Sequence, residues 1–216
     1  MRFWLRALGA GAMLFAAACT SNVTVSAPNI SPTQFASQTK TPGNYAVYLQ
    51  TGGWNKEIKT TGWTCNAWSF PTNFDGAYVS AAQSAFSQSF QNVKFVPAVL
   101  PPEELRKQNF DAQIIVYQGN MGAKFGVVQG LFTGAITVDV EVEGIVAVSG
   151  HGGLASQGQA RGAAHGVNDG VLGCDSAGPA IQQAGGKAIS DFVIESVNAA
   201  KLNILEMKTK TAAASS

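Results

Sequence analysis

Over residues 135–149 the chain reads AITVDVEVEGIVAVS. Ile136, Val138, Val140, Val142, Val146 and Val148 fall on one side of a two-residue repeat. Thr137, Asp139, Glu141 and Glu143 fall on the other, and Gly144 keeps the phase. A helix turns every 3.6 residues and cannot sort side chains in this way, so the stretch is a long antiparallel strand with one buried and one wet face. The rest of the chain must then supply strands to pair with it and an apolar layer to cover its valines. Asp139, Glu141 and Glu143 become neighbours on the wet face, where carboxylates can hold a metal or exchange protons. A solvated face that resists edge aggregation accounts for them without any chemistry.

The covering layer is legible as two helices. Residues 75–91 repeat Tyr78, Ala82, Phe86 and Phe90 every four positions with Asp75 as a cap, and residues 175–202 place Ala177, Ile181, Ala184, Ala188 and Phe192 on one stripe. In the second helix Asp175 or Ser176 is the expected cap, with Pro179 in the first turn. Gly185 and Gly186 inside it predict close approach to the first helix, because glycine in a helix otherwise costs about 1 kcal/mol. Strands are expected at residues 44–50, 93–99 and 111–118, with a short helix started by Pro101 and Pro102 between the last two. Residues 119–134 read as glycine-broken pairing or a mobile loop. The expected fold class is α+β, two helices packed on one face of a largely antiparallel sheet, over residues 44–207.

The stretch GHGGLASQGQARGAAHG, residues 150–166, holds both histidines of the chain. It is expected to turn after the long strand and return beside it as a strand of small residues, with His151 and His165 on opposite limbs of the hairpin. With Asp169 the two could form a zinc site, although the spacing matches no compact ligand motif. A phosphate loop would need its glycines between a strand and a helix, and no such context follows. Ser176 in GCDSAG invites a serine-nucleophile reading with either histidine as base, but it stands at a helix cap and the G-x-S-x-G elbow is not met. Trp54, Trp63 and Trp68 could line a lipid or glycan site, while irregular spacing among turn residues favours the edge of a core.

Charged residues make up 12% of the chain and the net charge is +1, which leaves no electrostatic footprint for nucleic acid. No cofactor motif is present. At the start, MRFWLRALGAGAMLFAAACTSN has Arg2 and Arg6 before an apolar run over residues 7–18, the layout of a secretory signal and too short for a bilayer span. Its LFAAAC resembles the lipobox of bacterial lipoproteins, with Ala16 where that family usually has leucine. The resemblance implies a signal peptide over residues 1–18, a lipidated Cys19 carrying three acyl chains, and an anchor without any transmembrane helix. Thr20 after the cysteine points by the same resemblance to the periplasmic face of the outer membrane. Residues 19–43, rich in Ser, Thr, Pro and Asn, are expected to form a disordered tether, and residues 208–216 a disordered tail. In an oxidising compartment Cys65 and Cys174 make an even pair, and a disulfide between them would contribute roughly 4–5 kcal/mol in the chain-entropy model.

In element order, through FDAQIIVYQ, ITVDVEVEG and AIQQAGGKAISDFVIES, the chain resembles the small envelope lipoproteins typified by the YajG and LptE groups. The glycine-rich return and the cysteine pair depart from that pattern, and no functional residue carries over. The expectation is a non-enzymatic outer-membrane lipoprotein, an accessory or assembly factor that binds an envelope protein by its sheet edges. The competing readings are a hydrolase or metal-dependent enzyme built on His151, His165, Asp169 and Ser176, and a lipid or glycan binder built on the tryptophans.

Overall fold

The structure, a computed structural model, describes residues 19–35, 39–59, 68–129, 134–171 and 174–214. Its strands are β1 (Cys19–Thr20), β2 (Thr41–Leu49), β3 (Glu57–Lys59), β4 (Trp68–Pro71), β5 (Phe90–Phe95), β6 (Ala112–Gln129), β7 (Gly134–Gly150) and β8 (Gly153–Val171). The helices are α1 (Phe74–Ser89), α2 (Pro102–Lys107) and α3 (Gly178–Ala214). The main sheet has the order β5-β2-β6-β7-β8, and a small second sheet has the order β1-β4-β3. The class is α+β. The main sheet is mixed rather than largely antiparallel: β2 pairs in parallel with both β5 and β6, while β6–β7 and β7–β8 are antiparallel. The reason is visible in the connections, because β2 reaches β5 through α1, and β5 reaches β6 through α2. A helix between two paired strands carries the chain back to the starting edge and makes the pair parallel.

β6, β7 and β8 have 18, 17 and 19 residues and form a three-stranded ribbon about 60 Å long at roughly 3.3 Å per residue. α3, with 37 residues, is roughly 55 Å long at 1.5 Å per residue and lies along the ribbon in the opposite sense to β8. The small residues of the return permit this. A methyl group on Gly162 would collide with Ala188 O and the Phe192 amide, and one on Gly166 with Ala180 O, so the helix backbone rests almost directly on the strand. Gly144, the interruption in the valine alternation, leaves the space that the Phe192 ring fills. Phe192 in turn meets the Trp54 ring at 4.8 Å and the Tyr78 ring of α1 at 5.9 Å, both edge-on, which ties both helices and the ribbon into one core. Gly185 lies against the Phe74 ring at the start of α1, the close approach its place in a helix predicts.

Several boundaries differ from expectation. Of the two readings of residues 119–129, the glycine-broken pairing holds: they continue β6 past one bulge between Gln118 and Met121, whose Gly119 carbonyl accepts the Trp54 indole N–H at 3.3 Å. Asn73, not Asp75, caps α1 by accepting from the Gly76 N–H at 3.0 Å. Asp75 is buried instead, and its carboxylate accepts from Gly52 N–H and the Gln118 side chain at 3.0 and 2.6 Å. Ser176 lies in the 3-10 turn Cys174–Ala177 that precedes α3.

The segment expected as a disordered tether is a strap packed on the domain. Val23, Val25, Ile30 and Phe35 are buried in the main core, Gln182 of α3 donates to Thr24 O at 3.1 Å, and Lys201 donates to Thr39 O at 3.4 Å. Its four large apolar side chains are few, but they find cover in that core. Residues 208–214, expected as disordered tail, continue α3, with Thr209 donating to Glu206 O at 2.8 Å. Among the described residues no helix is long and apolar enough to cross a membrane.

Candidate functional site

The ribbon turns its valine face to α3 and its other face outward. On that outer face β7 presents Thr137, Asp139, Glu141, Glu143 and Ile145, and the register sets His165 opposite Asp139 and Arg161 opposite Glu143. The carboxylates are paired across the strands. The Arg161 guanidinium bonds Glu141 and lies 3.8 Å from Glu143, and His165 Nδ1 lies 2.8 Å from Asp139 Oδ1. All five side chains stand half in water, where such pairs contribute at most about 1 kcal/mol each. Tyr117 of β6 and Ile145 of β7 oppose each other in register beside this charged strip, and both are exposed. The arrangement is a strip of alternating charge with an apolar pair at its side.

One end of the outer face is closed. α2 and the loop after it lay Leu105 and Phe110 over Ala46 as a small second core, with Ala147, Ile115 and Gln113 buried nearby on the strands. His151 holds this lid. Its Nε2 lies 2.8 Å from Phe110 O, and since a carbonyl only accepts, the ring carries its proton there. Its own carbonyl accepts from Arg106 of α2 at 2.6 Å. His151 and Gly152 form the two-residue turn between β7 and β8.

The residues singled out from the sequence do not gather. From the β7–β8 turn to the Asp139–His165 pair is about eleven residues of strand, or roughly 36 Å, so His151 and His165 cannot share an ion. Asp169 lies opposite Ala135, farther still from His151. Among the described residues no group of three or more His, Cys, Asp or Glu could hold a metal. Ser176 is on the helix side: its carbonyl accepts from Asn168, which faces α3 in register with Ile136, whereas His165 faces outward. Neither histidine is therefore placed as its base. Trp54 is fully buried, and Trp68 is half-buried and stacked on Phe70 at 6.2 Å, so neither forms an open aromatic site. Trp63 and Cys65 lie outside the described residues, as does the expected signal peptide over residues 1–18. Cys174 is disulfide-bonded.

Sequence reasoning missed Arg161, the Tyr117–Ile145 pair, and two side chains of α3 that reach the free edge of β8. Glu195 accepts from Arg161 N–H at 2.8 Å and Gln183 from Val167 N–H at 3.1 Å. Those two amides point away from β7, so by alternation the amides of Ala163 and His165 between them point the same way. The edge is thus blunted at two points and open between them. A signal for Arg161 was present, since a two-residue turn fixes the register of a hairpin. A one-residue register shift, with Ala155 of β8 unpaired between the partners of Val148 and Ser149, hides it.

No protein-family model matches the chain, and no curated protein matches it significantly. Among solved structures it is similar to XCC0632 of Xanthomonas campestris, a DUF330 protein, at 11% identity and a TM-score of 0.46, over 88% of this chain and 99% of that one. It is also similar to the hypothetical protein CT253 of Chlamydia trachomatis, at 12% identity and a TM-score of 0.31, over 76% and 96% of the two chains. A PelC dodecamer from Paraburkholderia phytofirmans matches at 15% identity and a TM-score of 0.22, over 71% and 89%. At these scores the likenesses carry no functional argument.

Proposed function

We propose that the chain is a non-enzymatic lipoprotein of the bacterial outer membrane, anchored on the periplasmic face through Cys19, that binds an envelope protein as an accessory or assembly factor. In this reading α1 and α3 form one layer on one face of the sheet and leave the outer face and the β8 edge to the partner. The observation that supports it most is the long β8 edge, where Glu195 and Gln183 occupy only two of the outward amides and a partner strand could add beside Ala163 and His165. The strip of Arg161, Glu141, Glu143, Tyr117 and Ile145 next to it offers charge for register and apolar area for affinity. The LFAAAC motif supports the anchor, and the element order supports kinship with the YajG and LptE groups. No cofactor and no nucleic acid enter the reading. A disulfide between Cys65 and Cys174 belongs to it, and a non-reducing peptide map that finds Cys65 as a free thiol refutes that part.

The test is crosslinking in intact envelopes, with photoreactive residues placed at Ala163 and Ile145, followed by identification of the captured protein. One dominant envelope partner, lost when Arg161 is changed to Glu, is the expected result. Adducts that are diffuse or unaffected by Arg161→Glu contradict it, and full retention of cellular function when Ala163 is changed to Pro contradicts strand addition.

A further inference from the structure

The strap fixes where an anchor at Cys19 must sit. β1 pairs Cys19 with Trp68 of β4, Trp68 stacks on Phe70, and Phe70 stacks on Phe125 of β6 at 6.1 Å. Val23 meets Gly178 at the start of α3, and Gln182 holds Thr24, so the strap leaves Cys19 at the end of the molecule where α3 begins. Cys19 therefore emerges beside the distal part of the β6–β7 hairpin, with almost no slack chain between them.

At that end each face of β6 carries an exposed valine. Val127 is on the helix-facing side, in register with Ile136, yet 38% exposed, and Val128 on the outer side is 59% exposed. Val167 of β8 is exposed in the same region. Ordinary sheets show an apolar face to the core and a charged or polar one to water; here, beyond Lys124 on β6 and Asp139 on β7, neither strand carries a charged residue, and Thr137 and Gln129 are the polar ones.

We propose that this end of the ribbon is a second membrane contact: Val127 and Val128 dip into the phospholipid surface to which Cys19 is tied, so that the domain stands end-on to the bilayer. The inference rests on the anchoring reading above. Its depth is limited by physics. Residues 125–129 extend roughly 17 Å, well short of the roughly 30 Å hydrocarbon core, and a ribbon with open edges cannot leave its amides in lipid. Asp169, across Ala135 from Val128, must stay among headgroups. The contact is thus interfacial, with Lys124 and the Asp139–His165 pair outside it.

The full-length protein, purified from membranes and reconstituted in phosphatidylethanolamine–phosphatidylglycerol vesicles that contain a photoreactive acyl chain, tests this. Lipid adducts are expected at Val127 and Val128 and absent at Leu202 and Leu205, apolar residues toward the other end of α3 that are about as exposed as Val128 and more exposed than Val127; Val128→Glu removes them. Detergent-phase partitioning of the same preparation reports the anchor separately. Partitioning without adducts at Val127 and Val128 overturns the second contact and leaves the anchor standing. Adducts without partitioning uphold the contact and refute the anchor, and the absence of both refutes both.

Discussion

Gly162 and Tyr78 show how much of this fold is decided by single atoms. Gly162 has the backbone of α3 where a side chain would begin, so Gly162→Ala is expected to cost about 3 kcal/mol, the upper part of the range for overpacking. Gly158, four residues back on the same face, would place its methyl at an ordinary 3.8 Å from Ala199, so Gly158→Ala is expected to be nearly neutral. Urea denaturation of both variants checks the contrast, and equal midpoints contradict the seating of α3 on β8. Tyr78 is buried with its hydroxyl unpartnered, and burial, with Asp75 and Tyr48 adding to it, pushes its pKa far up. A buried hydroxyl without a hydrogen bond costs free energy, so Tyr78→Phe is expected to stabilise the protein by about 1 kcal/mol in the same assay. Loss of stability would mean that the hydroxyl has a partner in solution.

At the scale of elements, what the sequence revealed depended on whether a pattern was local. The alternation of β7 and the apolar stripes of α1 and α3 are local, and all three elements form, although α1 stops at Ser89 so that Phe90 opens β5, and α3 runs from Gly178 on past residue 202 to Ala214. The parallel pairing of β2 follows from the helices on either side of β5, but weak short strands such as β5 gave no periodicity from which to argue direction. The strap was misread for a different reason. Its composition is that of a disordered segment, and only the fold reveals that Val23, Val25, Ile30 and Phe35 are buried in the main core. If the strap is part of the core, Ile30→Ala costs about 2 kcal/mol or more in global stability. A free tether would show no change, and denaturant midpoints distinguish the two. The candidate site was legible only in half, because Asp139, Glu141 and Glu143 follow from one strand, while their partners Arg161 and His165 require the register between two.

For the whole molecule, the buried tyrosines set an alkaline limit. Tyr45 is buried, donates to Pro42 O at 2.9 Å, and has its pKa raised from 10.0 to about 12 by burial first and by Asp111 second. Its unfolded form releases the proton first, so the stability from this group is complete below pH 10 and is lost as pH rises toward 12; Tyr78 acts in the same direction. Lys201, whose pKa burial lowers, acts the opposite way as pH climbs toward 10.5. The sum over two tyrosines and one lysine predicts a falling urea midpoint between pH 10 and 12, and a shallower fall in Tyr45→Phe. A midpoint that is flat over this range contradicts the burial of the ring hydroxyls.

The proposed function requires a fatty anchor on Cys19 and a ribbon free to bind. Mass spectrometry of the N-terminal peptide from the membrane-extracted protein tests it most directly. The account predicts a mature chain that begins at Cys19 with a diacylglyceryl thioether and an N-acyl group. A Cys19 that carries no lipid, or a mature chain that begins at another residue, contradicts it.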